Sequence, residues 1–258
     1  MEQDAQVRRL KGPVPIPPFE QKTREGRDAR SLKAKALERF GALLPRAFFE
    51  APPEWVAPRL LSKVLVHRTR SGLLAGRIVE VEAYLGPHHH TPDPAAHSYR
   101  GPTPRNQVLF GRAGHAYVYA IYGRYFCMNV SCEAEGRAGC VLLRALEPVG
   151  ELGLKRMAMN RGLAPGGKAR LLTSGPSRLC QALGLTRLNH NGLDLLDPGS
   201  PLQLRDDGIA AGQVLVTPRI GIRHAVDWPL RFALPDNDCV SGPKTMSKGS
   251  LVRRVLIR

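Results

Sequence analysis

The stretch VLVHRTRSGLLAGRIVEVEAY, residues 64–84, decides the fold because it carries two strand-like runs separated by a turn. In the first run, Val64 and Val66 share one face by the two-residue period of a strand. Ser71-Gly72 supplies the turn, and the second run is rich in β-branched residues. We therefore predict a β-hairpin with strands at residues 64–69 and 77–84.

The rest of the chain adds more strands and a few helices. Residues 116–121 alternate, Gly123 allows a tight turn, residues 125–132 return, and residues 139–146 form a nearly continuous apolar run. Proline favours the first turn of a helix and glycine its end, so we predict helices from Pro148 to about Asn160 and from Pro176 to Gly184. Further short strands are predicted at residues 214–216, 219–222, 230–233 and 251–257.

Strands outnumber helices in a mixed order, which is typical of an α+β domain. We expect a single domain over residues 37–258, built on a curved antiparallel or mixed β-sheet with flanking helices. Residues 1–36 are rich in charge and proline and poor in aromatic residues, the composition of a segment that does not pack. They are predicted to form a mobile basic arm, and a short helix is expected over residues 31–40.

The charge balance points to an anionic partner. The chain has 38 Lys and Arg against 22 Asp and Glu, a formal charge of +16, and a pI near 10.3. Nucleic acid is the leading interpretation and a membrane surface the second. No stretch approaches the roughly 18 apolar residues of a membrane span, and no apolar run follows the basic N-terminus. We expect a cytoplasmic, nucleoid-associated protein that is neither inserted nor secreted.

Metal and nucleotide chemistry are not predicted. The five cysteines include no C-x-x-C pair, so buried reduced thiols are favoured over a zinc site. The run His88–His90 lies on a proline-rich stretch, where a solvated loop is favoured over a metal site. Residues 162–168 fit part of a phosphate-binding loop, but Ala169 replaces the required Ser or Thr, and a predicted helix precedes the motif. We expect no metal and no cofactor.

All six tyrosines lie between residues 84 and 125. Tyr117 and Tyr119 share a strand face, and for Tyr117 and Tyr125 a core aromatic cluster is the favoured interpretation. Tyr122 falls beside the Gly123 turn, at the tip of a predicted hairpin. A ring next to Arg124 suits insertion into a base stack while the cation holds a phosphate.

Two carboxylates and one arginine stand out in apolar strands. Glu80 and Glu82 point to the same face by the two-residue period, and exposed strand-face carboxylates are the simpler interpretation for both. Arg144 lies in the apolar run 140–146, where an unpaired guanidinium would be costly. It needs a carboxylate, and Glu82 is a candidate.

Several blocks together resemble the alkyladenine (3-methyladenine) DNA glycosylase family. They occur in the family's order and cover about residues 55–240, and the combined motifs are highly specific. The blocks are RIVEVEAYLGP (77–87), AAHS (95–98), TPRN (103–106), YVYAIYG (117–123), FCMN (126–129), LLRALEP (142–148), TSGPSRLCQAL (173–183) and PRIGI (218–222).

The resemblance implies a base-excision repair enzyme that flips an alkylated or deaminated purine out of duplex DNA and hydrolyses its N-glycosidic bond. Glu82 would be the general base for the attacking water, which Arg144 and the carbonyl of Ile220 would position. The base pocket would contain the residues Tyr84, Ala96, His97, Tyr119 and Asn129. Aromatic walls would favour a cationic purine, and Asn129 would exclude the amino group of guanine.

Contacts with duplex DNA follow from the same resemblance. Tyr122 would fill the gap left by the flipped base, and Arg105, Arg124, Ser177 and Arg178 would contact phosphates. Free backbone N–H groups at 175–177 would contribute, although an ordinary capped helix explains that block equally well. Two departures from the family pattern are the longer loop 88–94, which affects the placement of His97, and the charge of Arg124.

No lysine falls within the pocket motifs, so no lyase step is expected. We expect a monomer that leaves an abasic site. The alternative is a non-catalytic damaged-DNA-binding protein of the same fold, which the charge and the tyrosines would support equally well. The pair Glu82 and Arg144 favours the enzyme, because binding to phosphates alone does not need a buried acid.

Overall fold

The 13-residue strand β3 (Gly72–Tyr84) organises the sheet in this computed structural model. Residues 36–242 are described, together with the backbone of residues 253–257. The first part of β3 pairs with β2 (Val64–Thr69), and its last part pairs with β9 (Arg231–Ala233). Along its other edge β3 pairs with β6 (Gly139–Val149). One strand therefore joins three neighbours.

The remaining strands extend the sheet in two directions. Its main path runs β1-β7-β2-β3-β6-β5-β4, with a branch in which β9 pairs with β8 and β8 with β10. These strands are β1 (Ala42–Leu43), β4 (Ala116–Ile121), β5 (Tyr125–Cys132), β7 (Leu202–Asp206), β8 (Gly212–Thr217) and β10 (Arg253–Ile257). Every described pairing is antiparallel, and the sheet curls into a half-barrel. The predicted α+β class with a curved sheet is confirmed.

Five short helices flank the sheet in the described residues. They are α1 (Pro53–Leu60), α2 (Glu151–Asn160), α3 (Ala169–Thr173), α4 (Pro176–Leu183) and α5 (Arg187–His190). Helix α4 packs its buried residues Leu179 and Leu183 on β5 and β6 in the main core, together with Met128 and Leu143. It ends at Gly184 in the left-handed conformation, as predicted. No helix of the described residues is long and apolar enough to cross a membrane.

The chain divides into two units, Met1–Arg39 and Phe40–Arg258, and all labelled strands and helices belong to the second. The predicted basic arm lies outside the described residues except for its last residue. Of the helix expected over residues 31–40, residues 36–38 are helical, and residues 31–35 lie outside the described residues. The proposed arm and domain boundary therefore stay predictions.

Two predicted elements are wrong. Pro148 does not begin a helix, because β6 continues through it and Pro148 pairs with Gly76. The helix begins at Glu151, after Gly150 has turned the chain at a φ of 87°. Residues 219–222 form no strand. There the N–H of Ile220 and the side chain of Arg219 bind carboxylates instead of a neighbouring strand.

Bulges interrupt the pairing of β3 with β6 at the place where the charged residues lie. Ile78 pairs with Leu146, Glu80 with Ala145 and Val81 with Leu143, so Arg144 falls between two paired positions. An extra residue of this kind re-aims the side chains around it, and bulges are frequent beside active sites. Here the bulge places Arg144 against both Glu80 and Glu82.

Candidate active site

A cavity of about 460 Å³ opens where β3, β4, β5 and β6 meet the chain after β8. This volume is in the range of small-molecule sites. Of the residues predicted from the sequence, the cavity is lined by Tyr84, His97, Arg105, Tyr119, Tyr122, Asn129, Arg144 and Ile220. The structure therefore brings together side chains from residue 84 to residue 220.

Aromatic rings form one side of the cavity. The rings of Tyr117 and Tyr119 stack with centroids 5.3 Å apart, and His97 meets Tyr119 edge-on at 4.5 Å. Nδ1 of His97 lies 3.0 Å from the hydroxyl of Tyr117. Burial, and then the charge of Arg105, lowers the pKa of His97, which favours a neutral ring. The result is a rigid aromatic wall without a fixed positive charge on its imidazole.

The Glu82 carboxylate lies directly behind the lining residues and has no exposed surface. Its Oε2 accepts a hydrogen bond from the Tyr84 hydroxyl at 2.9 Å, and its Oε1 accepts one from the Ile220 N–H at 2.8 Å. Arg144 Nη1 lies 3.1 Å from the same Oε1. A carboxylate has about four acceptor positions. Two hydrogen bonds and the ion pair with Arg144 fix its orientation and leave an acceptor position for a further donor.

The contact shown at Ile220 is made by its N–H group, whereas the sequence prediction assigned the water-positioning role to its carbonyl. That carbonyl role stays a prediction. Tyr84 is held by the same carboxylate, and burial, reinforced by Glu82, raises the pKa of its hydroxyl. Tyr84 therefore remains a neutral donor to Glu82.

Arg144 touches both carboxylates from its bulged position. Its Nε donates to Glu80 Oε1 at 2.9 Å, and only 7% of the residue is exposed. Burial alone would lower the pKa of Arg144, but the charges of Glu82 and Glu80 outweigh it and raise the pKa. The simpler interpretation of Glu80 and Glu82 as exposed strand-face residues is wrong, since both are fully buried.

Sequence reasoning missed the buried pair Arg219 and Asp93. Arg219 donates through both terminal nitrogens to the Asp93 carboxylate, and its guanidinium carbon lies 4.5 Å from the Tyr84 ring centroid. Asp93 also accepts from the N–H groups of Leu85 and Ala95. Arg219 stands in a family-like block, but no local pattern paired it with an acid in the loop 88–94.

Other lining residues were also missed. Cys140 lies outside the blocks quoted for the resemblance. The others belong to those blocks, so that signal could have found them; they are Ala95, Tyr117, Ala120, Ile121, Cys127, Leu142, Pro176, Gly221 and Ile222. Tyr117 is buried as predicted, whereas Tyr125 is only partly buried. All five cysteines are buried, as predicted, and none is in a disulfide in the structure.

Tyr122 stands at the tip of the turn between β4 and β5, 89% exposed and with a left-handed φ of 48°. Arg105 extends along the same edge, with its guanidinium carbon 5.6 Å from the Tyr119 ring. The predicted hairpin tip is thus present. The Tyr122 ring lines the cavity while most of its surface stays exposed.

Several predicted DNA contacts lie outside this cavity. Arg124 and Ser177 line a second cavity of about 420 Å³ between the β5 end of the hairpin and α4. Arg178 lines neither cavity and is exposed at the start of α4. Ala96 is buried, and its neighbour Ala95 lines the first cavity instead.

The expected free N–H groups at residues 175–177 need correction. The Gly175 N–H already donates to the Arg144 carbonyl at 3.0 Å, and Pro176 has none. Only the groups from Ser177 onward could face a phosphate. Within the described residues, no three His, Cys, Asp or Glu side chains converge as a metal site would require.

Comparison with known proteins gives a consistent result. Residues 47–238 match the family model of methylpurine-DNA glycosylase (MPG). A "Putative 3-methyladenine DNA glycosylase" of Koribacter versatilis is 52% identical over 203 residues, covering 79% of this chain and 95% of that protein. Proteins of the same name from Burkholderia lata and Methanoculleus marisnigri are 47% and 48% identical, covering 80% and 77% of this chain and 94% and 98% of their own length.

Proposed function

The chain belongs to the methylpurine-DNA glycosylase family, and on that premise we propose that it hydrolyses the N-glycosidic bond of a damaged purine flipped out of duplex DNA. It is a DNA glycosylase of DNA repair. The observation that carries the finer proposal is a fully buried carboxylate, Glu82, held behind an aromatic cavity by Arg144.

Glu82 acts as the general base in this proposal. When the substrate binds, a small shift of the cavity wall admits a water molecule to the remaining acceptor position of the buried carboxylate, while Arg144 and the Ile220 N–H hold the carboxylate in place. Glu82 takes the proton as the water oxygen attacks the anomeric carbon and the purine leaves. Positioned proton transfer of this kind contributes about two to four decades in rate.

The aromatic wall selects the base. Tyr84 and Tyr119 stack on an extruded purine, and electron-rich rings favour a purine made cationic by alkylation, by about 0.5–2 kcal/mol. Asn129 is 4% exposed at the base of the cavity, and its Oδ1 accepts from Cys140 Sγ. We propose that it excludes guanine by crowding the exocyclic amino group.

Tyr122 enters the duplex at the position of the extruded nucleotide. Flipping costs a few kcal/mol and is cheapest at damaged or mismatched pairs. Arg105, Arg124, Ser177 and Arg178 hold phosphates around this wedge. Because no lysine is among the cavity-lining residues, no Schiff base forms there, and the enzyme is proposed to be monofunctional. It is also proposed to act as a monomer.

The test is single-turnover incubation with duplexes that carry hypoxanthine or an alkylated purine. Base release that leaves an intact strand with an abasic site supports the proposal. Strand cleavage without added base, or trapping of a covalent adduct by borohydride, would contradict the monofunctional reaction. Tight lesion binding without release from any duplex would support the alternative, a non-catalytic damaged-DNA-binding protein.

A further inference from the structure

Glu80 lies one step behind Arg144 and away from the cavity, and it gathers more polar contacts than Glu82 does. Its Oε1 accepts from Arg144 Nε at 2.9 Å, from Arg231 Nε at 2.7 Å and from the Ser241 hydroxyl at 2.9 Å. Its Oε2 accepts from the Ser241 N–H at 2.6 Å. Both Glu80 and Arg231 are buried. Removing the charged Glu80 carboxylate from water costs free energy, so its burial calls for a structural or functional explanation.

The charges of this cluster balance in pairs. Glu80 and Glu82 bring two negative charges, and Arg144 and Arg231 bring two positive ones. Burial would raise the pKa of Glu80, but the charges of Arg144 and Arg231 and the hydrogen bonds from Ser241 outweigh it and lower the pKa. Arg231 therefore supplies Glu80 with a counter-charge of its own, and Arg144 remains available to Glu82.

Glu80 also determines which edge of the guanidinium reaches Glu82. With Nε bound to Glu80 and Nη2 3.2 Å from the Ser241 hydroxyl, Arg144 presents Nη1 to Glu82. Without these partners a guanidinium beside a carboxylate tends to form a two-pronged pair with it. Such a pair would bring a second N–H of Arg144 to Glu82 and would occupy its remaining acceptor position.

We propose that Glu80, supported by Arg231 and Ser241, is the positioning residue of the active site, fixing Arg144 so that the Glu82 carboxylate keeps one acceptor position open for water. The inference rests on the proposed function. Glu80 does not touch the substrate in this account and acts only through Arg144.

The experiment compares Glu80→Gln with the parent in single-turnover excision at saturating enzyme. Gln keeps the shape but removes the charge that holds both arginines. We expect the excision rate constant to fall by about 10²-fold, the effect of a small misplacement at a reacting centre. The Kd for lesion-containing duplex should equal that of the parent, since Glu80 lies away from the DNA.

A role in folding alone gives a different result. It would lower the fraction of active enzyme, which the burst amplitude with DNA in excess counts, and would leave the single-turnover rate constant at saturating enzyme unchanged. Asp207→Asn is the matched control, because it breaks the partly buried pair with Arg77, away from the cavity. This control should change stability and the active fraction at most.

Ser241→Ala keeps all four charges and removes only the hydroxyl that joins Glu80 to Arg144. We expect a loss of about tenfold in the rate constant, as for other residues that orient a reacting group. This variant tests the proposal if Glu80→Gln does not fold. Parent-like rate constants in the soluble variants would overturn the inference, whereas failure of the parent to excise any lesion would overturn the proposed function.

Discussion

The guanidinium of Arg219 lies against the Tyr84 ring, 4.5 Å from its centroid, while both of its terminal nitrogens are bound to the buried carboxylate of Asp93. Neither side chain of this ion pair is exposed. Asp93 also accepts from the backbone N–H of Leu85, next to Tyr84. The pair thus joins the loop 88–94 to the cavity wall and supports Tyr84 from outside the cavity.

We predict that Asp93→Asn strongly destabilises the fold. Removing one member of a buried pair leaves an uncompensated charge, at a cost of about 3–5 kcal/mol. Urea unfolding measures this as a loss in the free energy of unfolding. Asp207→Asn, at a more exposed pair with Arg77, should cost clearly less, and equal losses would show that the Asp93 pair has no special role.

Tyr122→Ala should leave stability nearly unchanged, within about 0.5 kcal/mol, because an exposed side chain at a turn is not part of the core. The same variant should weaken binding to lesion-containing duplex, since the flipped state loses the ring that fills the gap. Thermal unfolding and fluorescence anisotropy measure the two effects. A variant that melts far below the parent would identify Tyr122 as a structural residue.

Affinity for duplex DNA should fall steeply with salt. Each neutralised phosphate contributes a slope of about −0.9 to log K against log [salt]. Arg105→Ala and Arg124→Ala should each make the slope shallower by about one unit, and binding titrations between dilute and physiological salt measure it. The exposed Arg70 on the β2–β3 turn provides a control, because it is not among the predicted phosphate contacts. A flat salt dependence of affinity in the parent would argue against a basic DNA surface.

A pair of buried histidines should make the fold sensitive to mild acid. The Nε2 atoms of His67 and His190 lie 3.2 Å apart, His67 Nδ1 lies 2.8 Å from the Leu183 carbonyl, and the Thr186 N–H donates to His190 Nδ1. Both rings fit this chain of hydrogen bonds only when they are neutral. Burial lowers the pKa of each below 6.5.

The sign of the effect follows from proton linkage. Below pH 6.5 the unfolded chain binds protons that the folded histidines do not, so stability falls as the pH decreases towards the folded pKa values. The slope is at most about 1.4 kcal/mol per pH unit for each histidine. Urea unfolding from neutral to mildly acidic pH should show a shallower slope for His67→Gln and an unchanged one for the exposed His88→Gln. Identical slopes in all three proteins would contradict this account.

Much of the fold could be predicted because its signals are local. The hairpin at residues 64–84, the end of α4 at Gly184 and the exposed tip at Tyr122 all follow from strand periodicity and glycine turns. The helix predicted from Pro148 failed because proline is compatible with either element. The turn at Gly150 ended β6, and the helix began only at Glu151.

The site was predictable only where the family-like blocks carried it. Tyr84, Tyr119 and Arg144 come from such blocks and line one cavity, whereas the burial of Glu80 was not expected. That burial depends on Arg231 in β9, 151 residues away, and on the bulge that displaces Arg144. Pairings over such distances leave no periodic signal in the sequence, and the Arg219–Asp93 pair escaped prediction for the same reason.

The most direct test of the central claim is single-turnover base release from lesion-containing duplexes by the parent and by Glu82→Gln, measured beside their Kd values for the same DNA. Gln keeps the size of the side chain but cannot accept the proton of the attacking water. We predict that excision falls by about 10²- to 10⁴-fold while DNA affinity is retained. Excision at the parental rate by Glu82→Gln would contradict the assignment of Glu82 as the general base.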